Sequence, residues 1–439
     1  MFIKQSFFSI CQNAGGQGFF PYICEHFQTH LFVTPQYSIQ NLPLTQIAEQ
    51  FGTPLYVYDS EKIISNYNTL ANAFPGLKVK IKYASKALTN IAILKLLKKV
   101  GSGMDAVSIE EVKIGLKAGF EPSEILFTPN SVAMDEIDEA VKLGVVINID
   151  NISVLEQFGH KYHNTVPCCI RFNPGIMAGG HSKISVGHID SKFGISILQL
   201  RHVIRVVEAN NMKINGLHVH TGSDILDAEV FLRGAEILFD AAMSFPDLDF
   251  IDFGSGFKVA YRDGDVTTDI VALGARLSKA FKNFCMEYGR ELELWFEPGK
   301  YLVSEAGILL VKANVIKTTP ATVFVGVNSG MNHLLRPMMY EAYHDIVNVS
   351  NPDGTPRVYT VVGYICETDT LGADRKLSET REGDVLAIMN AGAYGYMMAS
   401  NYNSRPKPAE VLVHEGKAHL IRKRETLDDI LRNQVDIEL

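Results

Sequence analysis

The stretch Lys78-Val79-Lys80-Ile81-Lys82-Tyr83-Ala84-Ser85-Lys86-Ala87 decides how this chain is read. Val79, Ile81 and Tyr83 alternate with Lys78, Lys80 and Lys82, the period of two expected of a strand. The strand ends and presents Lys86 just past its carboxyl end. The same plan then repeats. Strand-like runs occur at 103–107, 125–128, 145–149, 166–172, 214–219, 249–253 and 292–296. Amphipathic helical patterns fill 109–118, 133–143, 151–159, 196–209, 226–243 and 269–288. Gly101, Gly119, Gly144 and Gly289 stand where helix C-termini favour glycine. Eight strands alternating with helices predict an α/β fold, a parallel (β/α)8 barrel. A doubly wound open sheet is the rival. The chain carries no dinucleotide fingerprint, which favours the barrel.

After Ala306 the character changes. Short strands at 308–315, 323–327, 357–362, 385–389 and 410–414 are separated by turn signals such as Pro352-Asp353-Gly354 and Glu382-Gly383-Asp384. The expected organisation is an N-terminal extension over 1–35, a segment over 36–59 that pairs with the second domain, a barrel over 60–306, and an all-β domain over 307–439. In the extension Lys4 precedes Phe7-Phe8-Ser9-Ile10, but no continuous apolar region follows, so it is not read as a signal peptide.

At 439 residues the chain is long for one core, and two domains are expected. Charged residues at 21% and apolar residues at 46% describe a soluble globular protein. A net charge of −8 with no basic stripe argues against a nucleic-acid partner. No apolar run approaches the length of a membrane span. The six cysteines are Cys11, Cys24, Cys168, Cys169, Cys285 and Cys366; without a C-x-x-C pair they fit a reducing, cytoplasmic location.

Chemistry-bearing residues gather at the carboxyl ends of the predicted barrel strands, where such barrels place their sites. They are Lys86, Asp105, Ser108, Asn130, Asp150, Arg171, Asn173, His220, Ser223, Gly254-Ser255-Gly256 and Glu297-Pro298-Gly299-Lys300. A lysine there can form a Schiff base with an aldehyde cofactor, pyridoxal phosphate being the commonest, or can be a solvated surface group. Gly254-Ser255-Gly256 lets backbone N–H groups approach an anion, or simply turns the chain. Glu297 can hold a pyridine nitrogen protonated, or can pair with Lys300. His218 and His220 are read as pointing to opposite faces of the sixth strand, with His220 facing the site. There its imidazole can stack on a pyridine ring while Ser223 bonds a phosphate; a hydrogen-bonded core histidine is the alternative. In the second domain Cys366 can deliver a proton and Glu367 can bind an ammonium, although a free cysteine is commonly buried. Arg336, in Arg336-Pro337-Met338-Met339-Tyr340, can grip a carboxylate bidentately or form an ordinary ion pair. No His, Cys or carboxylate group has metal-ligand spacing, so no metal is expected.

Taken in order over roughly 36–425, these motifs resemble the fold-type III pyridoxal-phosphate decarboxylases, whose barrel is of the alanine racemase type. Within them the chain is most similar to the diaminopimelate decarboxylases. Tyr83-Ala84-Ser85-Lys86-Ala87 resembles the Schiff-base segment, and His220-Thr221-Gly222-Ser223 the ring-stacking and phosphate segment. Phe253-Gly254-Ser255-Gly256-Phe257 resembles a loop that usually carries three glycines. Glu297-Pro298-Gly299-Lys300 resembles a segment that usually ends in arginine, so Lys300 keeps the charge and loses the fork. Cys366-Glu367 and Gly392-Ala393-Tyr394-Gly395 match segments that supply a proton donor, a substrate-binding carboxylate and a tyrosine contacting phosphate or substrate. Arg336 through His344 is similar to the segment whose arginine and tyrosine, here Arg336 and Tyr340, hold a substrate carboxylate. The resemblance implies pyridoxal 5'-phosphate as cofactor and a small amino-acid substrate, meso-2,6-diaminopimelate. It also implies a homodimer in which Cys366 and Glu367 reach the other subunit's site. Rivals on the same scaffold are decarboxylases of carboxynorspermidine, ornithine or arginine, a racemase, and a catalytically silent binding protein.

Overall fold

The structure, a computed structural model, describes residues 37–176, 190–220, 222, 226 and 228–439. The extension expected over 1–35 and the candidate Ser223 lie outside the described residues. A hairpin (β1, Ser38–Ile39; β2, Leu42–Pro43) and helix α1 (Leu44–Phe51) lead to β3 (Leu55–Asp59) and α2 (Ser60–Ala71). The barrel then runs β4 (Val79–Ala84), α3 (Ile91–Lys99), β5 (Gly103–Ala106), α4 (Ile109–Ala118), β6 (Ile125–Phe127), α5 (Met134–Leu143), β7 (Val146–Ile149) and α6 (Ile152–Tyr162). It continues with β8 (Cys168–Asn173), the two-residue β9 (Ile195–Ser196), α7 (Leu200–Ala209), β10 (Ile214–Val219), α8 (Ala228–Ala242), β11 (Phe250–Asp252), α9 (Ile270–Tyr288) and β12 (Glu293–Phe296). Parallel pairing of β12 with β4 and of β8 with β10 closes the ring, so the barrel and not the open sheet is formed. β9 pairs only along the side of β8.

Strand periodicity sorts the interior into strata. The floor is apolar: Leu126, Cys169, Phe250 and Trp295 form one buried cluster. The Phe250 and Trp295 rings stack with centroids 3.5 Å apart, and the Lys82 ammonium lies 4.3 Å from the Trp295 ring. Gly216 leaves room for that stack, since a Cβ there would collide with the Phe250 ring. Two residues further along each strand the same faces turn polar. Asn148, Arg171, His218, Asp252 and Glu297 are all buried, together with Asp105 of β5.

After α10 (Lys300–Val303) the chain enters β13 (Gly307–Thr318), β14 (Val323–Val327), α11 (Arg336–Tyr340), β15 (Ile346–Asn348) and β16 (Pro356–Val362). β17 (Thr370–Ser378), β18 (Val385–Ile388), β19 (Ala409–His414), β20 (Lys417–Arg422) and α12 (Leu427–Leu431) complete it. One sheet runs β17-β16-β14-β13-β3-β19-β20, and β18 bridges β13 and β15. β3, which precedes the barrel, lies between β13, antiparallel, and β19, parallel. Most expected elements end within two residues of their observed bounds. Among the elements the expectation omitted are β15, β17, β20 and α2. β17 and β20 are sheet edges, and the charged Asp374, Arg375 and Lys376 in β17 suit an edge and mask its alternation. In α2 the buried stripe includes the polar Asn66, which donates to the carbonyls of Tyr301 and Leu302. Among the described residues no helix is long and apolar enough to cross a membrane.

The two domains share a buried anion. Glu410 of β19 accepts from the Tyr58 hydroxyl at 2.7 Å and from Asn90 Nδ2 at 3.0 Å, and it pairs with Arg422. Asn90 also caps α3 through its carbonyl oxygen. Glu410→Ala strands these donors, and we expect a loss of about 2–3 kcal/mol, trimmed by the partial exposure of Arg422. Urea unfolding at unchanged m-value measures it, and a midpoint equal to that of the unmodified chain would contradict the tie.

Candidate active site

Lys86 sits in the single helical turn Ser85–Ala87 that follows β4. That turn is pinned on several sides. The Ser85 hydroxyl lies 2.9 Å from both the Asp105 carbonyl and Glu111 Oε2, Thr89 Oγ1 donates to the Ser85 carbonyl at 2.6 Å, and the Ala84 amide donates to Pro298 at 3.1 Å. Lys86 Nζ is 2.7 Å from Asp105 Oδ2. The lysine side chain is 40% accessible while Asp105 is fully enclosed. Burial pulls the Lys86 pKa down, but the neighbouring Asp105, Tyr394 and Glu297 outweigh it and raise the pKa above that of a free lysine. The amine therefore rests as an ammonium beside a carboxylate.

Glu297 follows β12. Its amide donates to the Gly254 carbonyl at 2.6 Å, its Oε2 is 3.3 Å from His218 Nε2, and Thr128 Oγ1 is 3.4 Å from its Oε1. Burial, then Asp105 and Asp252, hold its carboxyl well above the ordinary range. His220 follows β10 and accepts the Ser255 N–H on Nδ1 at 3.2 Å, which leaves its proton on Nε2. Burial, then Arg171 and Lys86, push its pKa down to about 3. Gly254 has φ +58°, and a Cβ on it would stand 2.7 Å from His220 Nδ1, so only glycine seats this loop against the imidazole. Gly256 also has a positive φ, of 127°. A Cβ on Gly299 would come within 3.0 Å of Ala87 Cβ, and Lys300 opens α10 beside it. From the second domain, the Tyr394 amide donates to the Ala87 carbonyl at 2.9 Å, which brings the tyrosine to the Lys86 turn.

Arg336 is buried at the start of α11. Its Nη1 donates to the Tyr261 hydroxyl at 2.9 Å and to His344 Nε2 at 3.2 Å. His344 Nδ1 lies 2.9 Å from the Met389 carbonyl, so its proton is there and Nε2 is the acceptor. Burial, then the Arg336 charge, lower the His344 pKa to about 3. Tyr340 closes α11, half-buried. Cys366 and Glu367 are placed differently. Cys366 is exposed, and so the buried-thiol alternative is overturned. Asn403 Nδ2 donates to Cys366 Sγ at 3.0 Å, and the Tyr402 hydroxyl donates to Glu367 Oε1 at 2.9 Å.

One expectation is wrong. His218 and His220 do not face opposite ways. Residues two apart on a strand share a face, and both imidazoles are inside the barrel. The same period identifies residues the sequence reading passed over: Asn148 lies two before Asp150, and Asp252 two before Gly254. Tyr261 and His344, which hold Arg336, have no such signal, because neither lies at the end of a barrel strand. Spacing along the chain shows no metal cluster, yet closure brings His218, Asp252 and Glu297 within 4.8 Å of one another. Arg171 supplies positive charge to both carboxyls, with Lys86 acting on Glu297 and Lys82 on Asp252. For a pyridoxal-type cofactor the residues fit: an amine at the mouth, a neutral imidazole, a proton-retaining carboxyl, and a loop whose glycine cannot carry a Cβ.

Residues 60–304 match the family model described as the pyridoxal binding domain of pyridoxal-dependent decarboxylases. The chain is 41% identical over 399 residues to the diaminopimelate decarboxylase of Methanothermobacter thermautotrophicus, covering 89% of this chain and 93% of that one. It is 36% identical over 407 residues to the diaminopimelate decarboxylase of Pseudomonas aeruginosa, covering 89% and 95%. The structure matches the crystal structure of diaminopimelate decarboxylase from Helicobacter pylori complexed with L-lysine. The TM-score is 0.82 and the identity 34%, over 88% of this chain and 98% of that one.

Both His220 and His344 should stay neutral from pH 8 to pH 5, so NMR of their ring signals should show no titration in that window. A midpoint near the ordinary 6.5 for either would contradict their burial. Because the unfolded chain takes up these protons near 6.5 and the folded chain does not, each ring lowers stability as pH falls below that value.

Proposed function

Since the chain belongs to the pyridoxal-dependent decarboxylases and, within them, to the diaminopimelate decarboxylases, we propose that it converts meso-2,6-diaminopimelate to L-lysine and carbon dioxide, the last step of lysine synthesis. The observation that carries this reading is the convergence of Lys86, His220 and Glu297 at one barrel mouth, with the buried Arg336 supplied by the second domain.

Bound pyridoxal 5'-phosphate supplies a reactive aldehyde carbon and a pyridine ring that accepts electrons. The chain's residues do the rest. Lys86 must lose a proton to act as a nucleophile, and Asp105 Oδ2 at 2.7 Å is placed to take it. Glu297, whose raised pKa favours keeping a proton, would share it with the ring nitrogen. The neutral His220 would lie against the ring without repelling a protonated pyridine. Gly254, Ser255, Gly256, Gly299 and Lys300, with Ser223 and Tyr394, would hold the phosphate. Arg336 and Tyr340 would bind the distal carboxylate, with Lys300 and Tyr394 near the reacting end. Arg336 is suited to this because Tyr261 and His344 fix its plane before substrate arrives. Ornithine, arginine and lysine lack that distal carboxylate, so Arg336 would discriminate against them.

Cys366 would return a proton to the substrate carbon, and Glu367 would bind the distal ammonium, both in the site of a partner subunit. Their exposure, on a loop tied to Tyr402 and Asn403, supports a homodimer with shared sites. We propose the division into a cofactor-binding barrel over 60–306 and a β domain over 307–439, with 36–59 joining the second. A cytoplasmic location is proposed with it, supported by the free thiols of Cys168, Cys169, Cys285 and Cys366.

Carbon dioxide release is to be measured with diaminopimelate, lysine, ornithine, arginine and carboxynorspermidine. Strong preference for the first is expected, and equal turnover of ornithine would sink the Arg336 assignment. Arg336→Lys should cost about 2–5 kcal/mol in kcat/KM for diaminopimelate and leave any residual ornithine turnover unchanged. Lys86→Ala and Cys366→Ala homodimers should each be nearly inactive, and mixing them should restore activity. Absence of recovery in verified mixed dimers would place Cys366 outside the partner's site.

A further inference from the structure

Beneath the mouth, one chain of buried side chains ends on Glu297. Asn148 Nδ2 lies 2.6 Å from His218 Nδ1, and His218 Nε2 lies 3.3 Å from Glu297 Oε2. Asn148 and His218 are at most 1% exposed, and Glu297 is 8% exposed. Asn148 Oδ1 and His218 Nε2 are buried without a hydrogen-bond partner of good geometry. We propose that His218, oriented by Asn148, is a positioning residue for Glu297: it fixes the carboxyl rotamer and shares one proton with Oε2, thereby setting how the carboxyl meets the cofactor ring. The inference rests on the assignment of Glu297 to the ring nitrogen.

Either tautomer gives the same link. With the Asn148 amide donating to Nδ1, the imidazole proton is on Nε2 and points at Glu297. With the amide turned over, Nδ1–H donates to Oδ1 and Nε2 accepts the carboxyl proton. In both cases the 3.3 Å separation of Nε2 and Oε2 lets one proton be shared once the carboxyl turns to meet the ring. The surrounding charges act on both ends. Burial, then Arg171, His220 and Lys86, keep His218 neutral, while burial, then Asp105 and Asp252, keep Glu297 inclined to hold its proton. A carboxyl left without this contact would rotate among Thr128, Asp105 and Asp252 and lose its fixed aim.

The test uses the dimeric enzyme stripped of cofactor. Pyridoxal phosphate is titrated back while following Trp295, the chain's one tryptophan, which lies on β12 two residues before Glu297. His218→Leu should weaken cofactor affinity by about tenfold or more. It should also lower kcat and leave KM for diaminopimelate unchanged, because the distal end is held elsewhere. His218→Gln, whose amide can still donate to the carboxyl, should recover most of both. Full affinity and kcat in a folded His218→Leu enzyme, or equal damage from His218→Gln, overturns the proposal. If His218→Leu does not fold, Asn148→Ala decides: weakened affinity supports the relay and unchanged affinity overturns it. Glu297→Gln is the reference. Unchanged affinity there means that the Glu297 assignment itself fails, whereas an effect of Glu297→Gln without one of His218→Leu rejects only the relay.

Discussion

Three carboxyls, Asp105, Asp252 and Glu297, share one enclosed barrel interior. Left alone they would repel in a medium of low dielectric. The arrangement around them follows from that constraint. Lys86 binds Asp105 directly. Arg171, on β8, lowers the pKa of both Asp252 and Glu297, as Lys82 does for Asp252 from the floor below. What remains uncompensated appears as retained protons: burial, above all, raises Asp252 to about 7. Lys82 shows the opposite response, since burial lowers it to about 8 against the pull of Asp252. A barrel with an apolar floor and a charged upper stratum thus favours protonated carboxyls at the level of Asp252 and Glu297.

The second domain completes the mouth through backbone contacts as well as side chains. β3 precedes the barrel in sequence yet is bonded on both edges by strands of the β domain, so the two parts cannot separate without breaking a sheet. Tyr394 then reaches the Lys86 turn through the Ala87 carbonyl, and Arg336 is braced by Tyr261 from the barrel side and His344 from the β-domain side. The groups expected to meet the cofactor and the distal end of the substrate therefore belong to one rigid frame. Cys366 and Glu367 stand outside it, on an exposed loop held by Tyr402 and Asn403. In the proposed homodimer a partner's surface would cover them and bring them into its site.

Rigid supports recur around each reactive group. Lys86 is presented by a turn with hydrogen bonds from Ser85 and Thr89, and His220 by a loop whose glycine admits no Cβ. Such supports matter because a misplaced group loses orientation even when its chemistry is intact. Lys300, which opens α10 beside Gly299, offers a single ammonium and not a planar fork.

The sequence by itself determined the alternation of strands and helices, the eightfold count that implies a closed ring, the change of pattern after Ala306, and the gathering of polar residues at strand ends. These are local properties: side-chain period, turn chemistry and helix stops act over a few residues. The tertiary structure alone decided what crosses between elements. It placed β3 inside the second domain's sheet and made β17 and β20 edges, where charge conceals the strand pattern. It set His218 against Glu297 and Asn148, from three different strands, and corrected the view that His218 faces away. It also left Cys366 at the surface. The physical reason is that period two tells which face a residue takes, while which residues meet across that face depends on the pairing of distant strands and on ring closure.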